Sequence, residues 1–137
     1  MKKMCTNLIV VFVVLSSGLI YSQDSITVVP KISEGDIDLN YLQGVEADNL
    51  GLKISSAYYL GERQSTKAVI PLLKVLKQDS SAEARITAAL ALFKIGDDRG
   101  IFAIKRASEF DNNELVRKMC AIFYQMYLSN KGNKEKK

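Results

Sequence analysis

Histidine does not occur among the 137 residues. Its absence removes the commonest general base, metal ligand and physiological-pH switch from any mechanism this chain could run. Cysteine is nearly absent too, with Cys5 and Cys120 the two present. Cys5 falls in an N-terminal stretch read below as a cleavable leader, so the mature chain would hold one thiol. One thiol excludes an internal disulfide and leaves no pair at metal-ligand spacing. Stability then has to come from packing. No G-x-S-x-G, phosphate-cradling glycine loop or dinucleotide fingerprint is found. Paired acids do occur, at Asp36/Asp38 and Asp97/Asp98. They sit at expected helix starts and turns, where a carboxylate favours the helix dipole. The sequence is therefore read as non-enzymatic, with no cofactor and no metal.

Long apolar runs are scarce as well. In "MKKMCTNLIVVFVVLSSGLIYSQ" the apolar run from Leu8 to Leu15, even extended to Tyr21, falls short of the roughly 20 residues that span a bilayer. Lys2 and Lys3 precede it, and Ser16, Ser17 and Ser22 follow, which is the layout of a signal peptide. Residues 1–22 are expected to be removed, leaving Gln23 first and no transmembrane segment in the mature chain. Cys5 precedes the run instead of closing it, so no lipid-modified cysteine is expected. The implied location is periplasmic or extracellular. The roughly 115 residues that remain suit one domain with a real core.

Charge is unevenly spread. Residues 23–50 hold Lys31 against six acids, whereas residues 51–137 hold sixteen bases against nine acids. Such asymmetry can steer a partner, or can place an acidic segment beside basic helices.

What the sequence has in plenty is internal repetition. Shifted by thirty-two residues, "DSSAEAR" (79–85) falls on "DNNELVR" (111–117). Lys53, Arg85 and Arg117 share a column; so do Ala57, Ala89 and Ala121, and Leu60, Leu92 and Tyr124. Lys67 aligns with Arg99, Val69 with Ile101, and Asp79 with Asp111. Three ungapped units, 35–66, 67–98 and 99–130, lie between an arm (23–34) and a basic tail (131–137). A fixed period of this length marks stacked units that each lack a complete core. Within the middle unit, Val69, Leu72, Leu73 and Leu76 form a helical apolar stripe, with Pro71 tolerated near its start. Ser80 and Glu83 give a capping-box spacing for a second helix that Gly96 is placed to end. Each unit reads as helix, turn, helix. Ala57, Ala89 and Ala121, beside Ser56, Ala88 and Cys120, keep the helix contacts small enough for close approach.

The pattern "KAVIPLLKVLKQDSSAEARITAALALFKIGDDRG" resembles the short HEAT-type repeats, also called phycobilisome-lyase-type HEAT-like repeats, over residues 35–130. The chain looks like a small exported bacterial member. The resemblance implies an all-α fold, a short α-solenoid of about three helix-turn-helix repeats, with first helices convex and second helices lining the concave side. It also implies that Asp79, Asp111, Arg85 and Arg117, with Lys53 in the first unit, tie neighbouring repeats together. It does not imply lyase activity.

The second helices carry the candidate site. Their outward columns read Ser55, Tyr58, Tyr59 and Glu62, then Thr87, Leu90, Ala91 and Lys94, then Met119, Ile122, Phe123 and Met126. The last helix, "KMCAIFYQMYL", is apolar nearly all round, a pattern that signals burial. A protein or peptide partner is expected on Met119, Ile122, Phe123, Met126 and Tyr127, extended by Tyr58 and Tyr59. The competing readings are that the arm "DSITVVPKIS" or adjacent helices cover these residues, or that a second copy docks there in a self-associating structural subunit of the cell envelope. A third is anion or nucleic-acid binding by the basic ladder, which an exported protein seldom requires. Cys120 reads as a small apolar side chain, and the tail as a solubilising end.

Overall fold

A computed structural model describes residues 34–134, and every regular element among them is helical. The expected leader, nearly all of the expected arm and the last three residues lie outside the described residues. Helix α1 runs Glu34–Val45, α2 Leu50–Glu62, α3 Val69–Gln78, α4 Ala82–Ile95, α5 Asp98–Phe110 and α6 Glu114–Lys134, with a 3-10 turn at Thr66–Ala68 leading into α3. The second, fourth and sixth helices begin at 50, 82 and 114, the thirty-two-residue interval of the sequence. α6 continues through Lys134, so the expected tail is helical over its first four residues.

The helices pack as neighbours in chain order: α1 with α2, α3 with α4, α5 with α6. Each pair also lies on the next, α2 against α4 and α4 against α6, with α1 against α3 and α3 against α5. Columns one period apart share a core role. Leu60 and Leu92 are fully buried, as are Leu72 and Ile104, and Val69 is matched by Ile101. Each such side chain contributes about 1.5–3 kcal/mol by leaving water.

Turn chemistry fixes where each second helix starts. Ser81, not the expected Ser80, caps α4: its hydroxyl accepts the Ala84 N–H at 3.2 Å. The shift by one residue follows from Asp79, whose carboxylate accepts the Ser81 N–H at 2.9 Å and tightens the turn before the helix begins. Asn49 does the same for α2 by accepting from Leu52, and Asn113 starts α6 by accepting from Leu115 and Val116. At the other end of α4, Gly96 takes φ +73°, the left-handed conformation that suits glycine.

The two seams between second helices differ in width. At the α2–α4 seam a Cβ on Gly61 would lie 2.7 Å from the Ala91 Cα, so only glycine fits there. One period on, at the α4–α6 seam, the equivalent positions are Phe93 and Phe123, with rings stacked at 6.0 Å and 18°.

The last pair departs from its predecessors in a patterned way. Ile54 and Ile86 pack against the core, but their column holds exposed Lys118 in α6. Leu73 gives way to Lys105, Leu76 to Ser108 and Phe93 to Gln125. α6 is thus less uniformly apolar in its setting than its composition suggests, because polar side chains occupy the columns that the earlier pairs bury.

Candidate functional site

Three second helices in a row bring the expected surface residues onto shared columns. Tyr58, Leu90 and Ile122 occupy one, and Glu62, Lys94 and Met126 the next. Tyr58 is 43 % exposed, Ile122 50 % and Met126 47 %, while Leu90 is half-buried. Between the first two helices the surface is organised by charge. Lys94 pairs with Glu62 and places its ammonium 4.8 Å over the Tyr58 ring. Glu62 also accepts from the Tyr58 phenol, which holds that phenol above its ordinary pKa. The Lys94 and Tyr58 hydrogen bonds hold the Glu62 carboxyl below its own. Along α6 the charged frame gives way to an open, mostly apolar surface formed by Ala121, Ile122, Gln125, Met126, Ser129 and Asn130.

Not every expected member reaches this surface. Phe123, expected to face outward, is buried at 7 % exposure because its helix turns it onto Phe93 of α4. Met119 and Tyr127 are half-buried and pack on the core. Tyr59 is exposed but belongs to the edge beside α1, stacked on Tyr41 at 5.3 Å and edge-on to Tyr58 at 5.7 Å. The surface that remains consists of Tyr58, Ile122 and Met126, with Tyr59 at its edge.

The acid and base columns form a second constellation, joining base to acid twenty-six residues later. Lys53 Nζ reaches Asp79 Oδ2 at 2.5 Å, from one helix pair to the next. Arg85 repeats this toward Asp111 with a fork: Nε and Nη2 each lie 3.0 Å from a carboxylate oxygen. Nη2 also donates to Asn112 Oδ1, and Nη1 donates to the carbonyls of Asp79 and Ser80. All five donors of the guanidinium are therefore occupied. An external anion would have to displace one of them. Arg117 repeats the backbone bond, donating to the Asp111 carbonyl at 2.7 Å. Asn112 and the Asp38 site, which accepts from Arg63 Nε at 2.7 Å and the Ser65 hydroxyl at 2.8 Å, escaped the sequence reading. Asp38 has Ile70 and Phe102 as its period mates, so repetition gave no signal for it.

Cys120 is fully buried in the small-residue column, and its thiol is pushed up to about 12, by burial first and by the Asp111 charge second, against Arg85. A thiol held this firmly protonated is a poor nucleophile. Among the described residues no group of three or more His, Cys, Asp or Glu is arranged to hold a metal ion, and no helix is long and apolar enough to cross a membrane. No protein-family model and no curated protein matches this chain.

The ties set a pH dependence. Burial pushes the Asp79 carboxyl up, but the Lys53 hydrogen bond, the Ser81 N–H and the Lys53 and Arg85 charges together hold it below its ordinary value. At Asp38 the Arg63 hydrogen bond leads, opposed by burial and aided by Ser65, with the same net direction. A lowered carboxyl pKa favours the folded state fully above the unfolded pKa, and that contribution is lost as pH falls through the folded pKa. Urea unfolding is expected to give a plateau above about pH 5 and a fall below about pH 4. Asp79→Asn should make the fall shallower. A decline between pH 5 and 7, in a chain without histidine, would contradict this account.

Proposed function

We propose that this chain is a non-catalytic binding module for a protein or peptide of the bacterial cell envelope, exported by its leader to the periplasm or exterior. In this reading the paired helices are a short α-solenoid of HEAT-like repeats. The thirty-two-residue spacing of the second helices and the base-to-acid ties between successive pairs support it. The observation that carries the binding function is the shared outward column of second helices, in which Tyr58 and Ile122 stand exposed with Met126 alongside. Aromatic and methionine side chains suit adaptable apolar contacts. The alternative is a structural subunit that extends by end-on stacking of copies. Lys105, Lys118 and Gln125 on the columns such stacking would bury weigh against it.

The test is capture from the native host after brief crosslinking, with the tagged full-length protein and an Ile122→Lys/Met126→Lys variant whose helix content is checked by circular dichroism. A single enriched envelope protein, reduced at least about tenfold in the variant, is the expected result. Equal capture by both proteins would remove the surface from consideration. Enrichment of the bait alone, at oligomer mass, would favour the structural subunit.

A further inference from the structure

The three most exposed large apolar side chains of the described residues are not on the second helices. They are Ile70 at 61 %, Phe102 at 67 % and Phe110 at 74 %, on α3 and α5. Isolated exposed apolar residues are ordinary. These three are set in a recurring frame. On the outer stripe of α3 and the turn before it, the i, i+3, i+7, i+11 positions read Lys67, Ile70, Lys74, Gln78; on α5 they read Arg99, Phe102, Arg106, Phe110. All eight are exposed, and Ile70 and Phe102 are period mates, as are Lys67 and Arg99, and Lys74 and Arg106. The residues behind them, Val69, Leu72, Ile101 and Ile104, are buried, so the two stripes face the same way.

We propose that this outer face of α3 and α5 docks on an anionic lipid bilayer, with Phe102, Phe110 and Ile70 entering the headgroup region and the flanking lysines and arginines meeting lipid phosphates. Charge complementarity selects this occupant. The segment 66–78 holds Lys67, Lys74 and Lys77 with no acid, and exposed Lys105 lies beside the α5 stripe. Lys74, Lys77, Lys105 and Arg106 have no ion-pair partner among the described residues. The acids beside the stripes are Glu109 on α5, Asp97, which is bound to Arg99, Asp98, Asp38, which is held by Arg63 and lies near Lys67, and Glu46 and Asp79, which line one pocket with Lys74 and Gln78, Asp79 being bound to Lys53. By contrast, the second-helix surface neutralises Lys94 with Glu62. Shape favours a bilayer over a folded partner. The apolar side chains stand as separate knobs between long cations, the arrangement of an interfacial anchor, in which apolar insertion and attraction to anionic lipid add.

The probe is co-sedimentation of the full chain with vesicles of phosphatidylcholine containing about one-third phosphatidylglycerol, and with phosphatidylcholine alone. Binding is expected to the anionic vesicles, weakening as salt rises from about 0.1 to about 0.5 M. Phe102→Ser/Phe110→Ser and Lys74→Glu/Arg106→Glu should each reduce it about tenfold, with helix content unchanged. Ile122→Ser/Met126→Ser, on the other face, should bind like the parent. Equal binding by all variants, as insertion of the apolar N-terminal stretch alone would give, overturns the proposal. So does no vesicle binding, or retention on polyglutamate that matches the anionic vesicles and does not need the phenylalanines, since the occupant would then be an acidic polypeptide.

Discussion

Arg85→Ala is expected to lower the unfolding free energy by about 3–5 kcal/mol. The size follows from what the truncation leaves behind. The Arg85 and Asp111 side chains are 8 % and 9 % exposed, so neither charge has much water to fall back on. The variant strands the Asp111 carboxylate and two backbone carbonyls that Arg85 now satisfies. The Asn113 N–H still donates to Asp111 but carries no full charge. A domain of this size has about 5–15 kcal/mol in total, so the variant should sit near its unfolding midpoint at modest temperature. Arg85→Lys keeps the charge but has three donors on one nitrogen instead of a planar fork, and is expected to recover less than half of the loss. Urea unfolding of both variants is the measurement. A loss below about 1 kcal/mol for Arg85→Ala would mean that the tie is an ornament of geometry with little energetic weight.

Phe123→Ala should cost about 3–5 kcal/mol, while its chain neighbour Ile122→Ala stays within about 0.5 kcal/mol. The two residues are adjacent on α6 and face opposite environments. Phe123 fills the seam with α4 and stacks on Phe93, so truncation opens a cavity between the two packed helices. Ile122 stands half out of the molecule and loses little that water does not replace. The contrast also determines how the proposed binding surface can be probed. A lysine at position 123 would report on folding, whereas one at 122 reports on contact. Similar losses for the two alanine variants would refute the orientation of α6.

Much of this was readable from the chain alone. The period was legible because the helix pairs share their buried positions and their turn chemistry, so the same residue types recur wherever the same neighbours do. The tie residues Lys53, Asp79, Arg85 and Asp111 stood out for that reason, although their twenty-six-residue reach is a property of how pairs lie on each other. Where neighbours change, the columns lose their meaning. Tyr59, Ala91 and Phe123 are period mates, yet Tyr59 is exposed beside α1 while the other two are buried between second helices. A column address specifies a direction on a helix, and burial depends on what lies in that direction. Ser80 failed as a cap for a more local reason: Asp79 captured the next N–H and moved the helix start by one residue. The outer stripe was hidden because apolar Ile70 stands beside core Val69, and composition alone does not separate a residue facing in from its neighbour facing out.

The unequal seams bear on how such an array could have grown. If the middle unit were copied in tandem, Phe93 of the first copy would meet Ala91 of the second, in place of the phenyl ring that now opposes it. Nor could the first unit be moved along the chain, because Gly61 accepts only a neighbour that presents nothing bulkier than Ala91. The three layers share a blueprint but not a gauge. Their order is written into the side chains that meet at each junction, so inserting a layer requires rewriting a joint as well as adding a module.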